Sequence, residues 1–555
     1  MIRALVLWLA GAAAAVAACP EGDAPFPVFY GDHALFEGAL ESTSDERPAP
    51  DPVHGVTVPH HLEAPDLIAL GLKRAAGRRP DRIVVMFPDH FRKLRGRFGT
   101  TPRGFDTLLG PVLGDPEGAA RLTGSGEVAV EDSCLFQTEH GLRALLPFIA
   151  RLFPDVPVLP LAIAIGSGRD DWDRMLPVLS PLIGRDTLLV QATDFSHYLP
   201  HHAARLRDQQ VLNLMAEGDP DRIAALTQPG HIDSPGALYL MTRLMAARGA
   251  EPVVIANRNL QEKTDRFIAE TTSYVVALYQ PPGSDPGPAP GAAPVHMLGG
   301  DVFVGRSLVR YLSDDLAADR VAQAVLGATR GLPLIANLEG VLLPEMPGNL
   351  EHLTLGMPAD LAVDMARRMN VAAFGLANNH ASDIGASGRA ETRRALDAAG
   401  IPHAGPGEAL DLPGLRIVAL TDLDGSLPAP RDRLDDAMLD RAISDDPTVP
   451  VVAFIHWGEE FVTTPGPREE ALALALSRRG VVAIVGAHPH RASAGAATVN
   501  GGDTVIFHSL GNLLFDQLPP ESNGALVEVR SFPQGTVFLR QMPLPDLYPL
   551  ARLPR

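Results

Sequence analysis

The chain has 555 residues, is 46% hydrophobic and carries a formal charge of −19. That length exceeds one ordinary core and that composition reads as folded rather than disordered, so two globular domains are expected. The acidic balance argues against a nucleic-acid partner, which needs clustered Lys and Arg. The densest basic run, GRRPDR from Gly77, reads as a solvated helix end.

At the N-terminus, MIRALVLWLAGAAAAVAAC has one positive charge, Arg3, an apolar stretch from Ala4 to Ala18, and small residues before Cys19. This pattern predicts a signal peptide over 1–18 rather than a spanning helix, which needs about 20 apolar residues. Two cuts are open. Val16-Ala17-Ala18-Cys19 resembles a bacterial lipobox, in which Cys19 is acylated, whereas Ala15-Val16-Ala17 would direct a cut that leaves a soluble secreted protein. The first predicts a lipoprotein secreted across the inner membrane and anchored by lipid in the periplasm or cell envelope. Cys134 is the one other cysteine, so no disulfide framework is expected.

The acidic, Pro-rich stretch 19–49 reads as a tether. Domain one, 50–279, shows strand patterns at Arg82–Phe87, Val156–Ala162, Thr187–Ala192 and Tyr274–Leu278. Helical periodicity occupies Ala64–Ala76, Gly141–Leu152, Ala203–Ala216 and Gly236–Ala247. QPPGSDPGPAPGAAP, 280–294, has Pro or Gly at most positions and no hydrophobic period, so it is expected to bury nothing and to link the domains.

In domain two, 295–555, strands are expected at Val295–Leu298, Pro333–Ala336, Val371–Leu376, Arg416–Leu420, Val451–Ile455, Val481–Val485 and Thr504–Phe507. Helices are expected at Leu316–Thr329, Ala359–Met369, Gly388–Ala399 and Arg468–Arg479. Such alternation predicts α/β sheets with helices on their faces, where ligands gather at the carboxyl ends of strands.

Five strand ends of domain two finish in candidate ligands: HMLGGDVFVGR with Asp301, ANLEG with Glu339, GLANNH with Asn379 and His380, FIHWGEE with His456, and GAHPHR with His488 and His490. One His after a strand is most often structural, and ANNH by itself also fits an Asx-capped turn. Five such ends on one edge are different. Carboxylates, an amide oxygen and imidazoles form a mixed set suited to a pair of Mn, Fe or Zn ions.

These signatures, with HSLGNLLFDQ, resemble the CapA family, linked to poly-γ-glutamate and capsule synthesis and built on a calcineurin-like metallophosphatase fold. The resemblance covers nearly all of domain two. It implies Asp301, His488 and His490 as terminal metal ligands, Glu339 as a bridging carboxylate, and Asn379 and His456 as ligands of a second ion. It also implies that His380 faces the substrate as general acid or transition-state donor, held by a carboxylate such as Asp383, with Asn378 a turn residue. Phe303 stands where metallophosphatases place a further His, which leaves open whether one or two ions bind. Arg306 and Arg491, beside ligand motifs, could hold an anionic substrate.

In domain one, VTVPHHLEAPD, FPDHF, TEHGL, TDFSHY and DSPGALYL resemble in order the Memo family, also called AmmeMemoRadiSam system protein B, which shares its fold with class III extradiol dioxygenases. The resemblance implies a pocket lined by His60, His90 and His197, with Glu139, His140 and Asp194 near by. Memo proteins usually have Cys-Gly where this chain has Asp233-Ser234-Pro235. The thiolate is absent; Asp233 could replace it as a hard ligand of a single metal, or Ser234 could act as a nucleophile.

The resulting expectation is an envelope-anchored protein of capsule or poly-γ-glutamate-type polymer metabolism, with a metal-dependent hydrolase in domain two acting on a phosphoester or amide of an anionic polymer or its precursor. The alternatives are a non-catalytic subunit of synthesis or export machinery and an oxidoreductase run by domain one.

Overall fold

The computed structural model describes residues 22–130, 135–288, 294–423, 434–443, 449–519 and 522–554. The expected signal peptide, Cys19 and Cys134 lie outside the described residues. Among the described residues no helix is long and apolar enough to cross a membrane.

The chain divides into two compact units, Met1–Pro48 with Val53–Thr193 and Gly236–Leu244, and Ala49–Pro52 with Asp194–Pro235 and Met245–Arg555. The first unit is built on parallel strands in the order Gly55–Val58, Thr187–Ala192, Arg82–Asp89, Val158–Ala164, extended by Phe98–Thr100 and Ala129–Val130. The near-continuous apolar runs of these strands reflect burial on both faces.

Where an extended tether is expected, the chain folds. Asp32 caps a helix at His33–Ser42 by accepting from the Leu35 amide at 3.1 Å. Phe26 stacks on Phe105 with ring centroids 5.2 Å apart, and Phe36 meets Phe148 edge-on at 5.3 Å. Those aromatic anchors outweigh the surrounding Pro and acidic composition, which had pointed to an open segment.

The second unit contains two sheets. One orders His403–Ala404, Val371–Gly375, Leu334–Leu338, His296–Val302, Ala525–Ser531 and Val537–Pro543, with Asn512–Leu514 pairing alongside His296–Val302. The other orders Ala409–Leu412, Leu415–Thr421, Val451–His456, Val481–Ala487, Thr504–Phe507 and Ala497–Val499. Leu298, Ile335 and Ala373 of the first sheet share one core with Ile417, Val452, Val485 and Phe507 of the second. Helices Asp315–Thr329, Ala359–Arg368 and Gly385–Ala399 cover the outer face of the first sheet through Val321, Val325, Met365 and Leu396. Helix Pro467–Ser477 covers the second through Leu472 and Leu476. The result is a helix–sheet–sheet–helix sandwich of metallophosphatase-like type.

Each strand expected in domain two forms, within a few residues of its expected ends. The antiparallel hairpin Ala525–Ser531 and Val537–Pro543 was not anticipated. Its buried Glu528, Arg530 and Arg540 break the apolar pattern by which a strand is recognised.

The Pro/Gly stretch 280–294 does not stay open over its described part. Gln280 ends the strand Thr271–Gln280 and donates to the Asp51 carbonyl at 3.0 Å. Ser284, Pro286 and Gly287 are buried, and Arg540 Nη2 donates to the Ser284 carbonyl at 2.8 Å. A backbone without hydrophobic period is here held by hydrogen bonds instead.

Candidate metal centre

The parallel strands of the sandwich deliver their carboxyl ends to one place. Asp301 and His456 lie within the last two residues of His296–Val302 and Val451–His456, and Glu339 directly follows Leu334–Leu338. His488 directly follows Val481–Ala487. A close approach fixes Asp301: a Cβ on Gly300 would stand 1.8 Å from the Gly511 carbonyl oxygen, and that oxygen accepts the Asp301 amide at 3.0 Å.

Two groups of ligand-capable side chains result, each with donor atoms within 4.8 Å of one another: Asp301, Glu339 and His490, and Glu339, His456 and His488. Glu339 belongs to both. Asn379 Oδ1 lies 2.9 Å from His456 Nε2, beside the second group. His488 and His490, two residues apart, do not share an extended run that points them the same way. Both have positive φ, 98° and 57°, so the chain turns at each and the two imidazoles go to different groups.

Asn337, which sequence reasoning passed over, organises the centre. Its Nδ2 donates to Asp301 Oδ1 at 2.7 Å, and its Oδ1 accepts from Asn378 Nδ2 at 3.1 Å. The available signal was an Asn inside an otherwise apolar strand, LIANL. Asn378 Oδ1 accepts the His380 amide at 3.1 Å, an Asx turn that sets the loop. His380 Nδ1 is 2.9 Å from Asp383 Oδ2, and its Nε2 is 3.9 Å from Glu339 Oε1.

The electrostatics fit a cation. Glu339 is fully buried, yet among the described residues neither of its carboxylate oxygens has a hydrogen-bond partner, and neither has His488 Nδ1. An ionised carboxylate so placed is costly unless a positive charge meets it. Burial pushes Glu339 up, but His490, His456 and His380 together outweigh it and hold the carboxyl below the usual range. Burial and the adjacent Glu339 charge push Asp301 up. Burial, with His456 beside it, lowers His488 to about 2, which keeps its ring neutral as a ligand requires. His380 is raised: burial opposes its protonation, but Asp383 and Glu339 together favour it more.

Phe303 is fully buried against Phe515, ring centroids 5.1 Å apart, so apolar packing occupies that position. Arg306 stacks over Phe303 at 4.8 Å and pairs with Asp516 at 2.5 Å. Arg491 follows His490 and is half-buried.

In the first unit, His60, His90 and His140 form a third group within 4.8 Å. Their rings lie 4.0 to 5.3 Å apart. Buried Glu139 accepts from the His90 amide at 3.0 Å, meets His90 Nδ1 at 2.7 Å, and caps the next helix through the Gly141 amide at 2.9 Å. Asp194, His197, Asp233 and Ser234 belong to the second unit. There the Asp233 amide donates to the Asp194 carbonyl at 3.0 Å, and His197 Nδ1 bonds the Phe195 carbonyl at 2.7 Å.

The sandwich is of a metallophosphatase-like class, and its two carboxylate–imidazole groups, which share one glutamate, could hold a metal ion. Residues 296–416 and 428–517 match the family described as bacterial capsule synthesis protein PGA_cap, and residues 33–269 match the family described as Memo-like protein. The chain therefore joins a Memo-like domain to a CapA-type domain. It is 29% identical over 273 residues to the capsule biosynthesis protein CapA of Bacillus anthracis, covering 44% of this chain and 66% of that protein. It is 28% identical over 243 residues to the PGA biosynthesis protein CapA of Bacillus subtilis, covering 39% and 62%. In the other half it is 27% identical over 208 residues to a MEMO1 family protein of Methanopyrus kandleri, covering 36% and 69%. The chain thus spans about two thirds of the length of these relatives.

Proposed function

We propose that the chain serves surface-polymer metabolism at the bacterial envelope, its region 295–555 hydrolysing a phosphoester or amide of an anionic polymer or precursor with Mn, Fe or Zn. Region 50–279 acts as a second functional part, joined through 280–294. The capsule and PGA proteins similar to this chain support the polymer class. The observation that carries the hydrolytic reading is Glu339, buried, without a hydrogen bond among the described residues and common to two ligand groups.

When bound, one or two such ions supply Lewis acidity and a nucleophile usable at neutral pH. Asp301, Glu339, His490, His456, His488 and Asn379 would hold them. Asp383 takes the Nδ1 proton of His380 in a hydrogen bond, which leaves Nε2 to give its proton to the leaving group. Arg491 is better placed than Arg306 to meet the substrate's charge, because Arg306 is already paired with Asp516. The test is metal analysis with turnover for the intact chain and for His488→Ala/His490→Ala. The double variant is expected to fold and to lose both metal and turnover; unchanged stoichiometry defeats the reading.

Phe303 in place of a further ligand favours a second reading, a non-catalytic subunit that holds the polymer for synthesis or export machinery; bound metal without turnover on any phosphoester or amide supports it. The His60, His90 and His140 group favours a single metal in the first region, and oxygen consumption tests a redox role there. For localisation, Cys19→Ser is expected to release the protein from the membrane fraction, and retention there refutes the lipid anchor.

A further inference from the structure

HSLGNLLFDQ was marked in the sequence without a role for its polar residues. The structure places Asn512 opposite Asp301 in the parallel pairing of Asn512–Leu514 with His296–Val302. Asn512 is 7% exposed, and each of its side-chain polar atoms has a defined neighbour. Nδ2 donates to Gln517 Oε1 at 2.8 Å and to Ser522 Oγ at 2.6 Å, which uses both amide hydrogens. Oδ1 is left to face His490 Nδ1 at 2.8 Å.

We infer that Asn512 is a positioning residue that fixes His490 as the Nδ1–H tautomer, so that Nε2 is the ring nitrogen with a lone pair to offer; the inference rests on the metal-site reading above. An amide oxygen can only accept, so the proton between the two residues sits on His490 Nδ1. A neutral imidazole carries one ring proton, so Nε2 keeps the lone pair that a metal would take, while Nδ1, which also lies 3.8 Å from Asp301 Oδ2, is held by Asn512. Turning the amide would set Nδ2 against His490 and Oδ1 against Gln517 Oε1, two acceptors in contact unless the Gln517 amide turns as well. Phe515, with its ring centroid 4.9 Å from that of His490, limits rotation of the imidazole. Partners of this kind orient a ligand histidine and raise its basicity.

The experiment uses the full-length chain with 15N-labelled histidine, stripped of metal by chelator, and reads the tautomer from long-range proton–nitrogen correlations. The His490 signals are assigned by their loss in His490→Ala. Nδ1 is expected to be protonated in the wild type; a proton on Nε2 overturns the inference. Asn512→Leu is expected to remove the tautomer preference and to weaken metal binding about 10–100-fold, as loss of such a partner typically does. Asn512→Asp keeps the acceptor and is expected to retain both tautomer and affinity. A purely structural Asn512 would lower stability in both variants and leave the affinity of the folded protein unchanged, which also overturns it. Should Asn512→Leu not fold, Gln517→Leu frees the amide to turn and gives the same readout. If the wild type binds no metal, the metal-site reading falls, and the tautomer in the stripped protein still decides the role of Asn512.

Discussion

Asn379 and His380 are neighbours with different partners, and the difference is measurable. Asn379 Oδ1 meets His456 beside a ligand group, whereas His380 is tied to Asp383. Asn379→Ala is expected to weaken metal binding with little effect on the fold. His380→Ala is expected to keep its metal and lose about 10²–10⁴-fold in turnover on a substrate with a poor leaving group, and less on a good one. Equal wild-type turnover of His380→Ala on both substrates would remove it from the chemistry. Loss of stability in both variants would return ANNH to a simple turn. The candidate ligands were legible because each closes a strand-like run with a residue type unsuited to a core. Asn337 and Asn512 were not, since their value depends on Asp301 and His490, 36 and 22 residues away in the chain.

At the scale of an element, the Ala525–Ser531 and Val537–Pro543 hairpin carries a buried charge cluster. Glu528 is fully buried and pairs with Arg330, Arg530 and Arg540, the last at 3.0 Å. Burial alone would raise its carboxyl, but Arg530, Arg540 and Arg330 hold it at about 2. Its contribution to stability is therefore present above the ordinary value of 4.5 and is lost as pH falls through about 2. Glu528→Gln leaves the guanidiniums without their carboxylate and is expected to cost about 3–5 kcal/mol at neutral pH. Denaturant titrations from pH 5 to pH 2, roughly the window set by this shift, should show a flatter acid dependence in the variant. An equally steep acid loss in Glu528→Gln would assign that loss to other carboxylates.

The strand that bears Asp301 gives a second test. Gly300→Ala forces a Cβ against the Gly511 carbonyl and is expected to cost about 1–3 kcal/mol or more as an overpacked site, with loss of bound metal because Asp301 moves. Full metal content in that variant would show that the approach of the two segments is adjustable.

Over the whole molecule, the expectation of two globular domains joined at 280–294 meets a specific obstacle. Helix His201–Glu217, inside the Memo-like match, belongs to the second unit. The buried Gln209 side chain bonds both the amide and the carbonyl of Val537, at 2.9 and 2.8 Å. Asn213 donates to the Gly502 carbonyl at 2.9 Å, and Glu217 accepts from Thr498 Oγ1 at 2.8 Å. A 295–555 fragment is therefore expected to melt below the corresponding transition of the full chain, and Gln209→Ala/Asn213→Ala is expected to lower that transition in the full chain. Buried groups left unpartnered typically cost about 1–3 kcal/mol each. A fragment as stable as the intact chain would restore the simple two-domain view.

The sequence by itself determined the α/β class, the order of the strands in the chain and the identity of the candidate ligands, because hydrophobic period and strand-end polarity are local properties. Tertiary structure decided which side chains meet. It made Glu339 common to two groups, sent His488 to His456 and His490 to Asp301, and filled the Phe303 position with apolar packing. It also folded the expected tether around Phe26 and Phe36 and held the Pro/Gly stretch at Ser284. Each of these depends on segments far apart in the chain reaching contact distance, and no local pattern encodes that approach.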